Sequence, residues 1–357
     1  MRKLVFTGIA ARSVRNWEPA LKLLKERGFR VRSLFFPHMP DPDSRELKSF
    51  DYESIASLPI EEHLSSLKES QSVMLAEQAM TALRTEKPDI LLLTTCHAGP
   101  ETKLLNLLNE QERARVIVVG CQHGFAQQWQ VYWNNFCFNY LLVFGTHSAN
   151  KAPEQFRQRV IVAGLPKLDA IAPNPACDFE ADRRPILYAA FGWRAPQTYS
   201  TERIAETLAA LGRVTGRQIV IKPHPEFRDA FSHLKQKFVF VDAGGPIVEE
   251  FARVSMVITT GSTVALEALA ARVPVVVLPE QRGERYEDAG IVARSMDPTE
   301  ILEIGSRQSE PQFRERLDSY LEMASGSRIS DRAVRTANCL ESLEAAEARS
   351  QWPIIVQ

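Results

Sequence analysis

The stretch Val257-Ile258-Thr259-Thr260-Gly261-Ser262-Thr263-Val264-Ala265-Leu266-Glu267-Ala268-Leu269-Ala270-Ala271-Arg272-Val273-Pro274-Val275-Val276-Val277-Leu278-Pro279 holds a strand, a turn, a helix and a second strand in one line. The apolar run from Met256 reads as a strand ending near Thr260. Gly261 lets the backbone turn sharply, and Ser262 or Thr263 can cap the run of good helix formers up to Ala271. Pro274 ends that helix and Val275–Leu278 is the next strand. Glu267 and Arg272 rule the stretch out as a membrane span. A helix joining two apolar strands makes them parallel neighbours in a sheet buried on both faces.

The same alternation extends outward. On the near side lie strands Ile186–Ala190, Gln218–Lys222 and Phe238–Asp242 with helices Thr201–Arg213 and Ile247–Arg253; residues 310–350 read as helical. Residues 172–185 (APNPACDFEADRRP) combine prolines with a run of charges, as an interdomain linker does. Before it come strands Leu4–Thr7, Phe29–Phe36, Ile90–Thr94, Val116–Gly120, Tyr140–Gly145 and Val160–Ala163. The intervening helices are Trp17–Arg27, Ile60–Glu86 as one or two, Glu101–Arg113 and Ala149–Phe156. The expectation is an α/β chain of two doubly wound parallel sheets facing a cleft. Residues 1–175 would form an acceptor domain and 176–335 a donor domain. The helix and tail 336–357 would pack back on the first.

Composition narrows the function. Of the 357 residues, 45% are hydrophobic and 24% charged, which excludes disorder, collagen and a disulfide-rich scaffold. Lys plus Arg number 43 against 44 Asp plus Glu, so no global field gathers nucleic acid, and none is expected as a partner. The cysteines, Cys96, Cys121, Cys137, Cys177 and Cys339, are odd in number and lack metal-ligand spacing; they read as reduced thiols of a cytoplasmic protein. The start, MRKLVFTGIAARSVR, reads as a first strand rather than a signal peptide.

Ligands of parallel sheets lie beyond the carboxyl ends of the strands. Five polar strings fall there: Thr94–His97, Cys121–Gly124, Gly145–Ser148, Lys222–Pro225 and Thr259–Thr263, and they hold four of the seven histidines. Each of these could be a hydrogen-bonded structural histidine, a reading that fits His97 and His147 better than His123 and His224. Pro223 and Pro225 restrain the backbone around His224, and Lys222 adds a charge, a pair suited to a departing diphosphate. The helix start at Thr260, Gly261, Ser262 and Thr263 offers N–H groups and hydroxyls to a phosphate, with Glu267 one turn further on counted with it. It is no P-loop, and no G-x-G-x-x-G follows a strand. His123, flanked by Gln122 and Gly124, is placed to deprotonate an acceptor hydroxyl. Trp129, Tyr132, Trp133 and Phe136 could line an acceptor groove or simply pack; Arg12 and Arg15 could meet an acceptor phosphate or start a solvated helix.

Taken together, ILYAAFGW (186–193), IVIKPHPE (219–226) and residues 257–279 resemble the donor half of GT-B-fold bacterial surface-polysaccharide transferases. The relatives this resembles are the CDP-glycerol glycerophosphotransferases and the His-Pro-motif capsular transferases, and GCQHG (120–124), FGTHSANK (144–151) and VAGLPKLD (162–169) are similar to the glycerophosphotransferase pattern. The resemblance covers roughly residues 88 to 280. It implies His123 as the acceptor base, and His224 with the hydroxyls of Thr260, Ser262 and Thr263 as donor-phosphate ligands. Asp169 would be structural. It departs at Thr260-Gly261, where glycerophosphotransferases usually carry an Asp, and no long membrane-docking segment is evident.

The expected function is transfer of a sugar or glycerol phosphate from a nucleotide-activated donor to a carbohydrate or lipid-linked acceptor, without metal or cofactor. Catalytic roles fall on His123 and His224, donor binding on Lys222, His224, Thr260–Thr263 and Glu267, and acceptor binding on Arg12, Gln122 and Gly124. A lipid-linked acceptor would call for peripheral association with the inner face of the membrane. The alternatives are a UDP-N-acetylhexosamine 2-epimerase-like isomerase and a non-catalytic nucleotide-sugar binding subunit. The epimerases' acidic N-terminal cluster is missing here.

Overall fold

The computed structural model describes residues 1–8, 15–35, 51–54, 69–93, 100–125, 138–174, 179, 181–190, 199–224, 234, 237–241, 245–279, 286–327 and 331–343. The chain forms two compact units, Met1–Ala170 with Ala324–Gln357, and Ile171–Met323. The chain therefore returns to the first unit at Ala324, ahead of the expected boundary at residue 336.

The first unit carries strands β1 (Lys3–Gly8), β2 (Arg30–Phe35), β3 (Asp51–Ser54), β4 (Ile90–Leu93), β5 (Ile117–Cys121), β6 (Tyr140–Val143) and β7 (Val160–Val162). They lie in the order β3-β2-β1-β4-β5-β6-β7, every pair parallel. The second carries β8 (Ile186–Ala189), β9 (Ile219–Lys222), β10 (Val239–Phe240), β11 (Met256–Thr259) and β12 (Val275–Val277) in the order β10-β9-β8-β11-β12, again all parallel. Both orders reverse once, between β1 and β4 and between β8 and β11. Those reversals are the switch points where a crevice opens beyond the carboxyl ends.

The apolar runs are central strands. Ile90–Leu93 and Ile117–Cys121 are buried throughout, with Leu75, Ala79 and Leu83 of the helix Glu69–Glu86 in the core that Leu91 and Val118 share. In the second unit Ile204, Leu208 and Leu211 of the helix Thr201–Thr215 join Ile186, Ile221 and Ile258. Ser200 caps that helix, its hydroxyl accepting from Arg203 N–H at 3.2 Å, and Gly216 ends it in the left-handed region.

Three departures from the sequence reading have local causes. The expected helix 101–113 is two, Pro100–Asn106 and Glu110–Arg115, because Asn109 starts a new one through a reciprocal capping box with Glu112. The expected helix 149–156 gives way to Thr146–Ala149 and a 3-10 turn Glu154–Arg159, since Pro153 cannot continue a helix. β3 escapes the apolar-run criterion because Asp51-Tyr52-Glu53-Ser54 is polar and pairs only along the sheet's edge. Among the described residues no helix is long and apolar enough to cross a membrane.

Candidate functional site

In the second unit, register builds the site. Ala189 pairs with Lys222 on one side and Thr259 on the other, and Thr259 pairs with Val277, so the four form one row at the carboxyl edge. Their neighbours Tyr188, Ile221, Ile258 and Val276 belong to the core on one face of the sheet. Alternation therefore turns Lys222, Ala189, Thr259 and Val277 to the other face. With strands about 4.8 Å apart, Lys222 and Thr259 stand roughly 10 Å apart across the small Ala189.

Lys222 is buried at 5% exposure, and a Cβ placed on Gly245 would lie 3.8 Å from its Nζ. Thr259 is fully buried and its hydroxyl has no hydrogen-bond partner. Pro223 and the half-buried His224 follow β9 directly. Pro225, the second restraint expected on His224, lies outside the described residues.

Beyond β11 the chain turns as expected. Gly261 has φ of 82°, a left-handed value that favours glycine. The helix begins at Val264, with Thr263 at the cap position but making no capping bond through its side chain. Ser262 does part of that work, its hydroxyl accepting from Val264 N–H at 3.3 Å. The Ser262 carbonyl accepts from Ala265 N–H at 3.0 Å and from the Tyr286 hydroxyl at 2.7 Å. Tyr286, absent from the sequence reading, is fully buried against Tyr320, with ring centroids 6.2 Å apart. Thr260 is buried, Ser262 and Thr263 are half-buried, and Glu267 is buried inside the helix.

In the first unit the second string follows β5. Gln122, expected to touch the acceptor, is fully buried and spends its amide internally. Its Nε2 donates to the Gly124 carbonyl at 2.9 Å, and its Oε1 accepts from Phe144 N–H at 2.9 Å. It is a brace between the ends of β5 and β6 rather than a contact residue. The half-buried His123 sits on that brace, and its carbonyl accepts from Asn16 Nδ2 at 2.9 Å. Gly124 is half-buried beside it. His147 packs its ring against Phe125 at 5.3 Å between centroids, in keeping with a structural role. Asp169 accepts from Arg332 and from the Ala333 N–H, which makes it the structural residue expected. Arg12, His97 and the aromatic group Trp129–Phe136 lie outside the described residues; Arg15 lies within them, half-buried.

No protein-family model matches the chain, and no curated protein does. Solved structures do. The UDP-GlcNAc 2-epimerase of Methanocaldococcus jannaschii, in complex with UDP-GlcNAc and UDP, is similar at a TM-score of 0.67 and 13% identity, over 96% of this chain and 99% of that one. The UDP-GlcNAc 2-epimerase of Neisseria meningitidis, bound to UDP-GlcNAc, is similar at 0.65 and 14%, over 96% and 100%. The glycotransferase of kitacinnamycin is similar at 0.62 and 14%, over 99% of both chains. The two parallel α/β units thus have the GT-B-type fold of such enzymes.

Proposed function

We propose that this GT-B-type chain acts on a nucleotide-activated sugar, with the phosphates held at the carboxyl edge of the second sheet. The observation that carries this reading is the placing of Lys222 and His224 at the end of β9 and of the hydroxyl loop Thr260–Thr263 at the end of β11, on either side of β8 at the same carboxyl edge. Solved neighbours bound to UDP-GlcNAc support the same class of ligand. Lys222 supplies positive charge, and His224 and the loop hydroxyls supply donors, to the phosphate that gains charge as the glycosidic bond breaks.

For the reaction, the side chains favour transfer. His123, held at the end of β5, takes the proton from an acceptor hydroxyl; that oxygen bonds to the transferred group, and the nucleotide leaves with the bonding electrons. The strings after β4 and β5, Thr94-Thr95-Cys96-His97 and Gln122-His123-Gly124, contain no carboxylate to serve an alternative base. The motif likeness to glycerophosphotransferases points the same way and extends the transferred group to glycerol phosphate. The acceptor would be a carbohydrate or a lipid-linked glycan met at a membrane surface. The second reading, isomerisation of a UDP-N-acetylhexosamine, has the fold comparison on its side, since two of the three neighbours above are 2-epimerases.

The deciding experiment starts with a thermal-shift panel of CDP, CMP, UDP and GDP compounds. A nucleotide bound at 100 times its dissociation constant adds about 2.7 kcal/mol to stability. Incubation with UDP-N-acetylhexosamine alone then separates the reactions: interconversion without acceptor establishes the isomerase, and nucleotide release that requires an acceptor establishes the transferase. His224→Ala is expected to weaken nucleotide binding and His123→Ala to abolish turnover with binding intact. A panel in which no nucleotide shifts the melting temperature overturns the proposal.

A further inference from the structure

Asn16 lies between β1 and the helix Glu18–Glu26 and carries no charge, yet it is buried at 5% exposure. Its Nδ2 donates to the His123 carbonyl at 2.9 Å, and its own carbonyl accepts from Lys167 N–H at 3.2 Å, so both its side chain and its backbone are fixed. Trp17, the next residue, is buried and packs its ring on Phe144, with centroids 5.8 Å apart. The Phe144 N–H in turn donates to Gln122 Oε1, and Gln122 Nε2 donates to the Gly124 carbonyl.

These contacts close a ring: Asn16 to His123, His123 to its neighbour Gln122, Gln122 to Phe144, Phe144 to Trp17, and Trp17 back to Asn16. The carbonyls of His123 and Gly124, consecutive along the loop, each accept from a buried side-chain amide. A loop is ordinarily free to rotate these peptide planes, and rotating the first of them would swing the imidazole on the adjoining His123 Cα. Two amides of fixed position remove that freedom at the one place where general-base geometry is demanding.

We propose that Asn16 is a positioning residue for His123: through the His123 carbonyl it fixes the direction in which the imidazole leaves the end of β5. The inference rests on the reading of His123 as the base, and its role is distinct from that of Gln122, which braces the following peptide.

The test compares wild type, His123→Ala, Asn16→Asp, Asn16→Ala and Asn16→Ser in the full chain. Asp matches Asn in shape but presents no donor to the carbonyl, whereas Ser keeps a donor of shorter reach. With the nucleotide sugar and acceptor identified by the panel above, Asn16→Asp is expected to lower kcat about 10- to 100-fold, with KM and the nucleotide dissociation constant within about twofold of wild type. Asn16→Ser should recover part of the loss. Histidine-labelled NMR supplies a readout that needs no substrate: the His123 imidazole signal, assigned by its loss in His123→Ala, should shift or broaden in Asn16→Asp while the other histidine signals stay in place. If Asn16→Asp does not fold, Asn16→Ala and Asn16→Ser carry the comparison. An unmoved His123 signal, or wild-type kcat in the Asn16 variants where His123→Ala is inactive, overturns the role of Asn16 alone. Full activity of His123→Ala overturns the reading of the base, and with it this inference.

Discussion

Asp169 and Arg332 meet across the first unit, Oδ1 accepting from Nη1 at 2.9 Å while Oδ2 accepts from the Ala333 N–H at 2.8 Å. One carboxylate thus pairs with a guanidinium that is 4% exposed and also caps the start of the helix Arg332–Ser342. Arg332 further donates to the Ser325 hydroxyl at 3.2 Å and to the Ser327 carbonyl. Asp169→Ala strands a buried charge, and removing one partner of such a pair costs about 3–5 kcal/mol. Urea unfolding should show a midpoint well below that of wild type, and below that of Asp169→Asn, which keeps an acceptor for Arg332.

Gly326 and Gly216 offer a matched pair of substitutions. Both are left-handed, at φ of 90° and 65°. A Cβ on Gly326 would lie 2.6 Å from the Phe144 carbonyl oxygen and 2.8 Å from Gly164 Cα, whereas one on Gly216 meets nothing within 4 Å. Gly216→Ala should cost only the left-handed strain, about 1–2 kcal/mol. Gly326→Ala should cost clearly more, since backbone on both sides leaves nothing flexible to yield. Equal melting temperatures for the two variants would refute the contact argument.

Tyr286→Phe isolates one hydrogen bond behind the hydroxyl loop. Losing the 2.7 Å bond to the Ser262 carbonyl frees that peptide just where phosphate is proposed to bind. A hydrogen bond of this kind contributes about 0.5–1.5 kcal/mol. Urea unfolding should register that loss, and nucleotide affinity, read by calorimetric titration, should fall as the loop loses its support. Unchanged affinity would detach Tyr286 from the site.

Glu300 gives a stability effect with a definite sign. Burial alone would push its carboxyl up, but the Ser295 hydroxyl at 2.7 Å and the N–H groups of Arg294 and Ser295 at 2.9 and 3.1 Å outweigh this, helped by the Arg294 charge. The result lies below the usual carboxylate range. A pKa lower in the folded than in the unfolded chain contributes stability that is present above the unfolded value and lost as pH falls through the folded one. The stability gap between wild type and Glu300→Gln should therefore be larger near neutral pH than at about pH 3. A gap independent of pH in chemical unfolding would contradict this.

Much of the architecture was legible because burial on both faces leaves apolar runs that no surface segment needs, as at Ile90–Leu93 and Val275–Val277. The return at Ala324 was not legible, because Gly164, Gly326 and Arg332 announce their packing only once they touch. Of the candidate site, the position of Lys222, His224 and the loop Thr260–Thr263 after strands could be read from the sequence. The role of Gln122 was misread: a polar residue beside a candidate base resembles a contact residue until its amide is seen to be used up indoors.

Periodicity and chain order, which are local properties, determined that this is a parallel α/β protein with polar strings at its strand ends. Tertiary structure alone decided which strand ends stand together and what holds them. Register set Lys222, Ala189 and Thr259 in one row, and the sheet order put the switch point between β8 and β11. The supports, Asn16 under His123 and Tyr286 under Ser262, come from segments far away in sequence. A hydrogen bond closed over 107 residues, as between Asn16 and His123, leaves no periodic trace in the sequence, because only the folded chain brings its donor and acceptor within reach.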